Sequence, residues 1–142
     1  MKIFSPALSR LARLRYWRIE HWVKDPVAAQ REVLQDLITH GQYTQIGRKY
    51  QFSSLFNIRK FKETVPIQEY DDIKPYIDQI MQGENAVLWN TPVEWFAKSS
   101  GTTDKSKYIP VSKEFLDGCH YNGGRDMITF HCVNNEDTQL FT

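Results

Sequence analysis

Only two cysteines, Cys119 and Cys132, occur in 142 residues. That is too few for a disulfide framework, in a chain long enough to bury a core without one. A reducing, cytoplasmic setting is therefore expected. No apolar run approaches the roughly 20 residues needed to cross a bilayer, so no transmembrane segment is expected. Charge of one sign is equally scarce. Lys and Arg total 18 against 17 for Asp and Glu, a net charge of +1, which leaves no global field to draw nucleic acid. The amino-terminal stretch MKIFSPALSRLARLRYWRIEHWVKDP is basic but has neither the unbroken apolar core nor the small-residue cleavage site of a secretory signal. Repeats, low-complexity tracts and linkers are missing too, and the length suits one domain or a piece of a larger one.

What is present is mostly helical periodicity. Between Ser5 and Val23, residues Leu8, Leu11, Ala12, Ile19, Trp22 and Val23 fall on one side of a helix, with Arg15 intruding on that face. Arg10, Arg13 and Arg18 lie away from the stripe. Packing on the protein's own domain is the expected use of this helix; attachment to a membrane surface and a mitochondrial presequence are the alternatives. Asp25-Pro26 suits a second helix start, with a capping carboxylate followed by the residue that misses no hydrogen bond there. Val33, Leu34, Leu37 and Ile38 form its stripe, and Gly41 ends it. YTQIGRKYQF predicts a short helix and a loop held by rings around Gly47. Beyond it come a short helix, an extended Val65-Pro66-Ile67 and a further helix that runs through Met81 and stops at Gly83. Glu69, Asp71 and Asp72 read as a solvated helix start that complements the helix dipole, in preference to a metal or acid-base site.

Ala86 to Trp89 and Glu94 to Lys98 are predicted strands on either side of the Asn90-Thr91-Pro92 turn, and Tyr108 to Val111 is again extended. Ser112 is a helix cap, with Gly123-Gly124 a point where that helix weakens or breaks. Asn134 to Asp137 reads as a turn, and Gln139 to Thr142 as the start of a strand. Cys119-His120 and His131-Cys132 mirror one another. Along one helix, however, the two histidines lie about 16 Å apart, and sharing a zinc ion would need the chain to fold back at Gly123-Gly124. No metal site is assigned. Trp17, Trp22, Trp89 and Trp95 are read as packing residues in preference to binding anchors.

The densest chemistry lies in SSGTTDKSK, residues 99 to 107. Ser99, Ser100, Thr102, Thr103 and Ser106 carry hydroxyl donors, Gly101 lets backbone approach closely, and Lys107, with Lys105, carries positive charge. Donors and cations between two extended segments can cradle phosphate groups. The Walker pattern is excluded, because no second glycine precedes Lys107 and no hydroxyl follows it. An exposed turn is the alternative, since these are common loop residues.

The order of residues adds more. SSGTT, then Lys107 after three intervening residues, then Tyr-Ile-Pro, resembles the phosphate-binding signature of the adenylate-forming enzymes. More closely, it resembles the auxin-responsive acyl acid amido synthetase family. PVAAQREVLQDLITHGQYTQIGRKYQF and FKETVPIQEYDDIKPYIDQIMQGE are similar to that family's early helical region and to the segment leading into its loop. The resemblance implies an α/β fold, of which residues 1 to 142 are an incomplete, mostly helical amino-terminal part of the large domain, with a few short strands around the phosphate-binding loop and the carboxy-terminal domain absent. It implies ATP with Mg²⁺, a small-molecule carboxylic acid adenylated first, and an amino acid that then displaces AMP to form an amide. Ser99, Ser100, Gly101, Thr102, Thr103 and Lys107 would bind the phosphates. Asp104 stands where many members have glycine, and Ser106 where they often have proline. No catalytic residue is assigned, and the chain alone is expected to lack a complete active site and to self-associate through exposed apolar surface. A noncatalytic helical module that binds a partner protein is the alternative function.

Overall fold

The computed structural model describes the backbone of residues 4–100 and 106–135, with side chains from Arg10 onward in those ranges. These residues form a mostly helical structure with a small antiparallel sheet. Two compact units, Met1–Ala29 with Glu114–Thr142 and Gln30–Lys113, divide the chain.

In the first unit, helix α1 (Phe4–Lys24) packs on helix α7 (Tyr121–Asn134). Ala12 and Ile19 of α1 and Thr129 and Cys132 of α7 are buried. Arg15 does not intrude on this face but belongs to it. Its Nε donates to Asp126 Oδ1 at 2.6 Å, and its Nη2 lies 3.3 Å from both the carbonyl and the side-chain oxygen of Asn122. Tyr16 meets Phe130 edge-on at 5.9 Å between ring centroids. The apolar stripe therefore divides: Leu11, Trp22 and Val23 stay exposed, because the helix is turned to bring Arg15 onto Asp126. At Asp25 the cap forms as expected, with Oδ1 accepting the Ala28 N–H at 2.9 Å. Helix α7 is preceded by helix α6 (Lys113–Phe115) and a π-helical stretch, Leu116–His120. The irregularity falls there, and not at Gly123-Gly124, through which α7 runs unbroken.

The second unit is organised around helix α3 (Gln45–Lys49), which follows helix α2 (Pro26–Gly41). Thr44 is fully buried and caps α3. Its hydroxyl donates to the Gly41 carbonyl at 2.7 Å and accepts the Gly47 N–H at 3.0 Å. The remaining first-turn amides of α3 are met from afar, Gln45 N–H by the Ala86 carbonyl at 2.7 Å and Ile46 N–H by the Val87 carbonyl at 3.2 Å. Ala86–Trp89, predicted as a strand, is therefore an irregular segment whose carbonyls close a helix end, and Ala86 takes a left-handed φ of 53° to do so. Gly47 is required here, since a Cβ on it would lie 2.0 Å from the Gly41 carbonyl oxygen.

A 3₁₀ turn (Phe52–Ser54) precedes helix α4 (Ile58–Thr64), which Asn57 caps through Oδ1 to the Lys60 N–H at 2.8 Å. Val65-Pro66-Ile67 is extended as expected, and leads to helix α5 (Tyr70–Met81). Asp72 reaches back to accept the Glu69 N–H at 2.9 Å, so the acidic group does start a helix. At the other end, Gly83 at φ 90° donates to the Ile80 carbonyl, and Glu84 donates to that of Gln79, which closes the helix in a Schellman motif. Ile38, Leu55, Ile77, Ile80 and Val87 form the buried core of this unit. Val33 and Leu37 of the α2 stripe remain exposed. Trp17, Trp22 and Trp95 are also exposed, whereas Trp89 stacks on His40 at 5.9 Å. No helix of the described residues is long and apolar enough to cross a membrane.

Two predictions follow the packing. Gly47→Ala is expected to destabilise the chain by about 3 kcal/mol, the upper end of overpacking, because the atom it meets is the backbone carbonyl of Gly41. Gly124→Ala, with open space around it, should instead raise stability by about 0.5–1 kcal/mol. Urea unfolding midpoints of both variants give the comparison. Arg15→Ala should cost about 2 kcal/mol, the scale of a hydrogen bond to a charged group. In a double-mutant cycle with Asp126→Ala, the two losses should add to more than the loss in the double variant.

Candidate phosphate-binding site

Strand β1 (Trp95–Lys98) pairs antiparallel with strand β2 (Tyr108–Val111), Phe96 opposite Pro110 and Lys98 opposite Tyr108. Both lie where the sequence predicted extended chain. Beyond the last pair, Ser99 N–H donates to the Lys107 carbonyl at 3.0 Å, and Lys107 N–H donates to Ser99 Oγ at 3.2 Å. Ser99 and Lys107 thus close the neck of the hydroxyl-rich loop. Because the Ser99 hydroxyl accepts at this point, its own hydrogen remains able to donate.

Alternation along an antiparallel pair then turns the N–H and C=O of Tyr108 outward, away from β1. Tyr70, the first residue of α5, meets both. Its hydroxyl accepts the Tyr108 N–H at 2.9 Å and donates to the Tyr108 carbonyl at 3.3 Å. The same alternation suits Pro110, two residues on, which has no N–H to offer. Lys107 extends its Nζ over the Tyr70 ring, 5.2 Å from the centroid.

Of the residues expected to bind phosphate, Ser99, Ser100 and Lys107 are therefore described, Ser99 and Lys107 in direct contact and Ser100 exposed beside them. Gly101, Thr102 and Thr103 lie outside the described residues, as does Asp104. Of the turn predicted over Asn134 to Asp137, Asn134 is the last residue of α7 and Asn135 its cap; Glu136 and Asp137, and the strand predicted from Gln139, lie outside the described residues. Tyr70 was not among the expected site residues. Its link to Tyr108 spans 38 positions, and no local spacing signals it.

The other candidate clusters disperse. Helix α7 continues through Gly123-Gly124, Cys132 is buried and Cys119 exposed, and no group of three His, Cys, Asp or Glu comes together among the described residues. Two lysines of the second unit have their pKa raised. Lys49 is held up chiefly by its hydrogen bond to the Tyr76 hydroxyl, and Lys74 by that to Asp78, in each case against a smaller opposing effect of burial. Both stay charged at neutral pH, and any stability they add is present below the ordinary lysine range and lost above it.

The sequence profile of the GH3 family N-terminal domain matches residues 15–140. The chain belongs to the GH3 family. Among its relatives, indole-3-acetic acid-amido synthetase GH3.2 of Arabidopsis thaliana is 31% identical over 101 residues, 70% of this chain and 18% of that protein. Jasmonoyl-L-amino acid synthetase JAR6 of Nicotiana attenuata is 30% identical over 100 residues, 69% of this chain and 17% of that protein. The 4-substituted benzoates-glutamate ligase GH3.12 of Arabidopsis thaliana is 31% identical over 112 residues, 76% and 19%. This GH3 chain thus spans less than a fifth of the length of these relatives, whose names carry different acids. The family expected from SSGTT and its upstream stretches is the family found.

Ser99→Ala should leave the strand pairing of this GH3 chain intact but free the Lys107 amide. Hydrogen exchange at Lys107 is expected to accelerate by about fivefold, equivalent to about 1 kcal/mol. NMR exchange rates at Lys107 and Ile109, compared with the unaltered chain, provide the measurement.

Proposed function

We propose that this chain is the amino-terminal part of an ATP-dependent acyl acid amido synthetase, and that Ser99–Lys107 is the loop that holds the phosphates of ATP. In the first step a carboxylate oxygen attacks the α-phosphorus and pyrophosphate leaves. In the second, the amine of an amino acid attacks the acyl carbon and AMP leaves. In the first step negative charge builds on the leaving pyrophosphate, and hydroxyl donors with a cation fixed beside its oxygens lower that barrier; in the second the attacking nitrogen gives up a proton as AMP leaves. Ser99, Ser100, Thr102 and Thr103 would supply the hydroxyls, Gly101 the close backbone approach, and Lys107 the charge. Mg²⁺ would arrive with the triphosphate, whose oxygens are its ordinary ligands.

The observation that carries this reading is the neck of the hairpin. Two paired strands bring the first hydroxyl and the second lysine of SSGTTDKSK to the same end of the sheet, in a chain whose GH3 relatives are named as synthetases and a ligase. Residues 1–142 then correspond to an amino-terminal portion of the large domain, with the groups that select acid and amine outside the matched stretch. The same reading accounts for exposed Leu14, Trp17, Trp22 and Val27. In the isolated chain such surface would favour self-association.

The test is carboxylate-dependent exchange of pyrophosphate into ATP by the natural polypeptide, with Lys107→Ala and Thr103→Ala beside it. Exchange is expected, with each substitution lowering it by about a hundredfold, the scale seen when one donor to a developing charge is removed. ATP should also protect the loop from proteolysis. Exchange indifferent to both substitutions would overturn the loop assignment, and absence of exchange with no protection would leave the chain as a helical module that binds a protein partner.

A further inference from the structure

From α5, Tyr70 reaches the loop's neck, and it does so with three different features of one residue. Its hydroxyl both accepts from and donates to the backbone of Tyr108, at 2.9 and 3.3 Å. Its ring face lies under the Lys107 ammonium at 5.2 Å. Phenylalanine would offer only the ring and serine only the hydroxyl.

The side chain is itself held. Tyr70, Ile73, Ile77 and Ile80 follow one another at helical spacing along one face of α5, and Ile77 and Ile80 are buried in the core. The helix start is set by the Asp72 carboxylate on the Glu69 N–H. The position of Tyr108, and with it that of its neighbour Lys107, is thus referred to a helix anchored in the core and not to the two-stranded sheet alone. Lys107 is exposed and the Tyr70 ring only half-buried, so the cation is held weakly there. A phosphate oxygen can therefore draw the ammonium away, while the ring limits where it rests beforehand.

We propose that Tyr70 is a positioning residue for the phosphate loop, fixing the backbone at Tyr108 and pre-orienting the Lys107 ammonium toward a polyphosphate. The inference rests on the phosphate-loop reading above. Tyr70 itself touches no reacting atom. It acts through Lys107, so its loss should weaken polyphosphate binding only while that lysine is present.

Pyrophosphate exchange by the natural polypeptide tests this, with ATP as the varied substrate. Tyr70→Leu is expected to raise KM for ATP about tenfold, with a smaller change in kcat, and Tyr70→Phe, which keeps the ring and its packing, about threefold. Combined with Lys107→Met, Tyr70→Leu should add little to the loss caused by Lys107→Met alone. A purely structural tyrosine would instead lower exchange by the same factor in both backgrounds, and that result overturns the proposal. If Tyr70→Leu does not fold, Tyr70→Phe in the two backgrounds decides by the same criterion. If Lys107→Met lowers exchange while both tyrosine substitutions leave KM unchanged, the positioning role falls and the loop reading stands. If Lys107→Met has no effect, or no exchange occurs, both fall together.

Discussion

The hydroxyl of Thr44 is the interaction on which the second unit depends. One oxygen donates to the carbonyl that ends α2 and accepts from the third amide of α3, and it does so with no exposure to solvent. A buried polar group satisfied in both capacities fixes direction as well as distance, because each hydrogen bond rules out the rotamers that would break the other. Gly47 then lies so close to the Gly41 carbonyl that it has no room for a side chain, while a Cβ on Gly41 would press on the Phe52 ring at 3.2 Å. The carbonyls of Ala86 and Val87 complete the start of α3 and tie the chain following α5 back to the chain preceding it. Helix α5 is held between these closures, and it carries Tyr70 to the hairpin.

Seen from that knot, the candidate site is a two-stranded ribbon that would be marginal alone, steadied by a helix whose own ends are closed. The division of labour is chemical. The ribbon supplies serine and lysine at its open end, and the helix supplies the aromatic ring and the hydroxyl that satisfy what the ribbon turns outward.

Much of this was legible in the sequence where the signal is local. Asp25-Pro26 and Gly83 are contained within a few residues of the ends they close, and the extended segments flanking the loop follow from Glu94–Lys98 and Tyr-Ile-Pro-Val. Elsewhere the decisive partner lies far along the chain. Ala86–Trp89 has the side chains of a strand, but its carbonyls are taken by α3 some forty residues earlier. Arg15 reads as an intruder on an apolar face until Asp126 is seen across from it, 111 positions away. Gly123-Gly124 carries a strong breaking signal, yet helical hydrogen bonding on both sides carries the chain through. Periodicity marked the α2 stripe, but not that Val33 and Leu37 would lie uncovered while Ile38 alone is buried. For the loop, residue types and order pointed to the family, and Tyr70 was invisible for the same reason as Asp126.

The π-helical stretch at Leu116–His120 sets the phase of everything after it. A π turn takes up roughly one more residue than an α turn, and in α-helical geometry one residue corresponds to about 100° of rotation. Asp126, Thr129 and Cys132 face α1 because that extra residue has been absorbed upstream. A sequence shorter by a single position between Phe115 and Tyr121 could form a more regular helix and still present the wrong side to α1. In comparing this chain with a relative, a gap at that point therefore carries more structural meaning than several substitutions along α7.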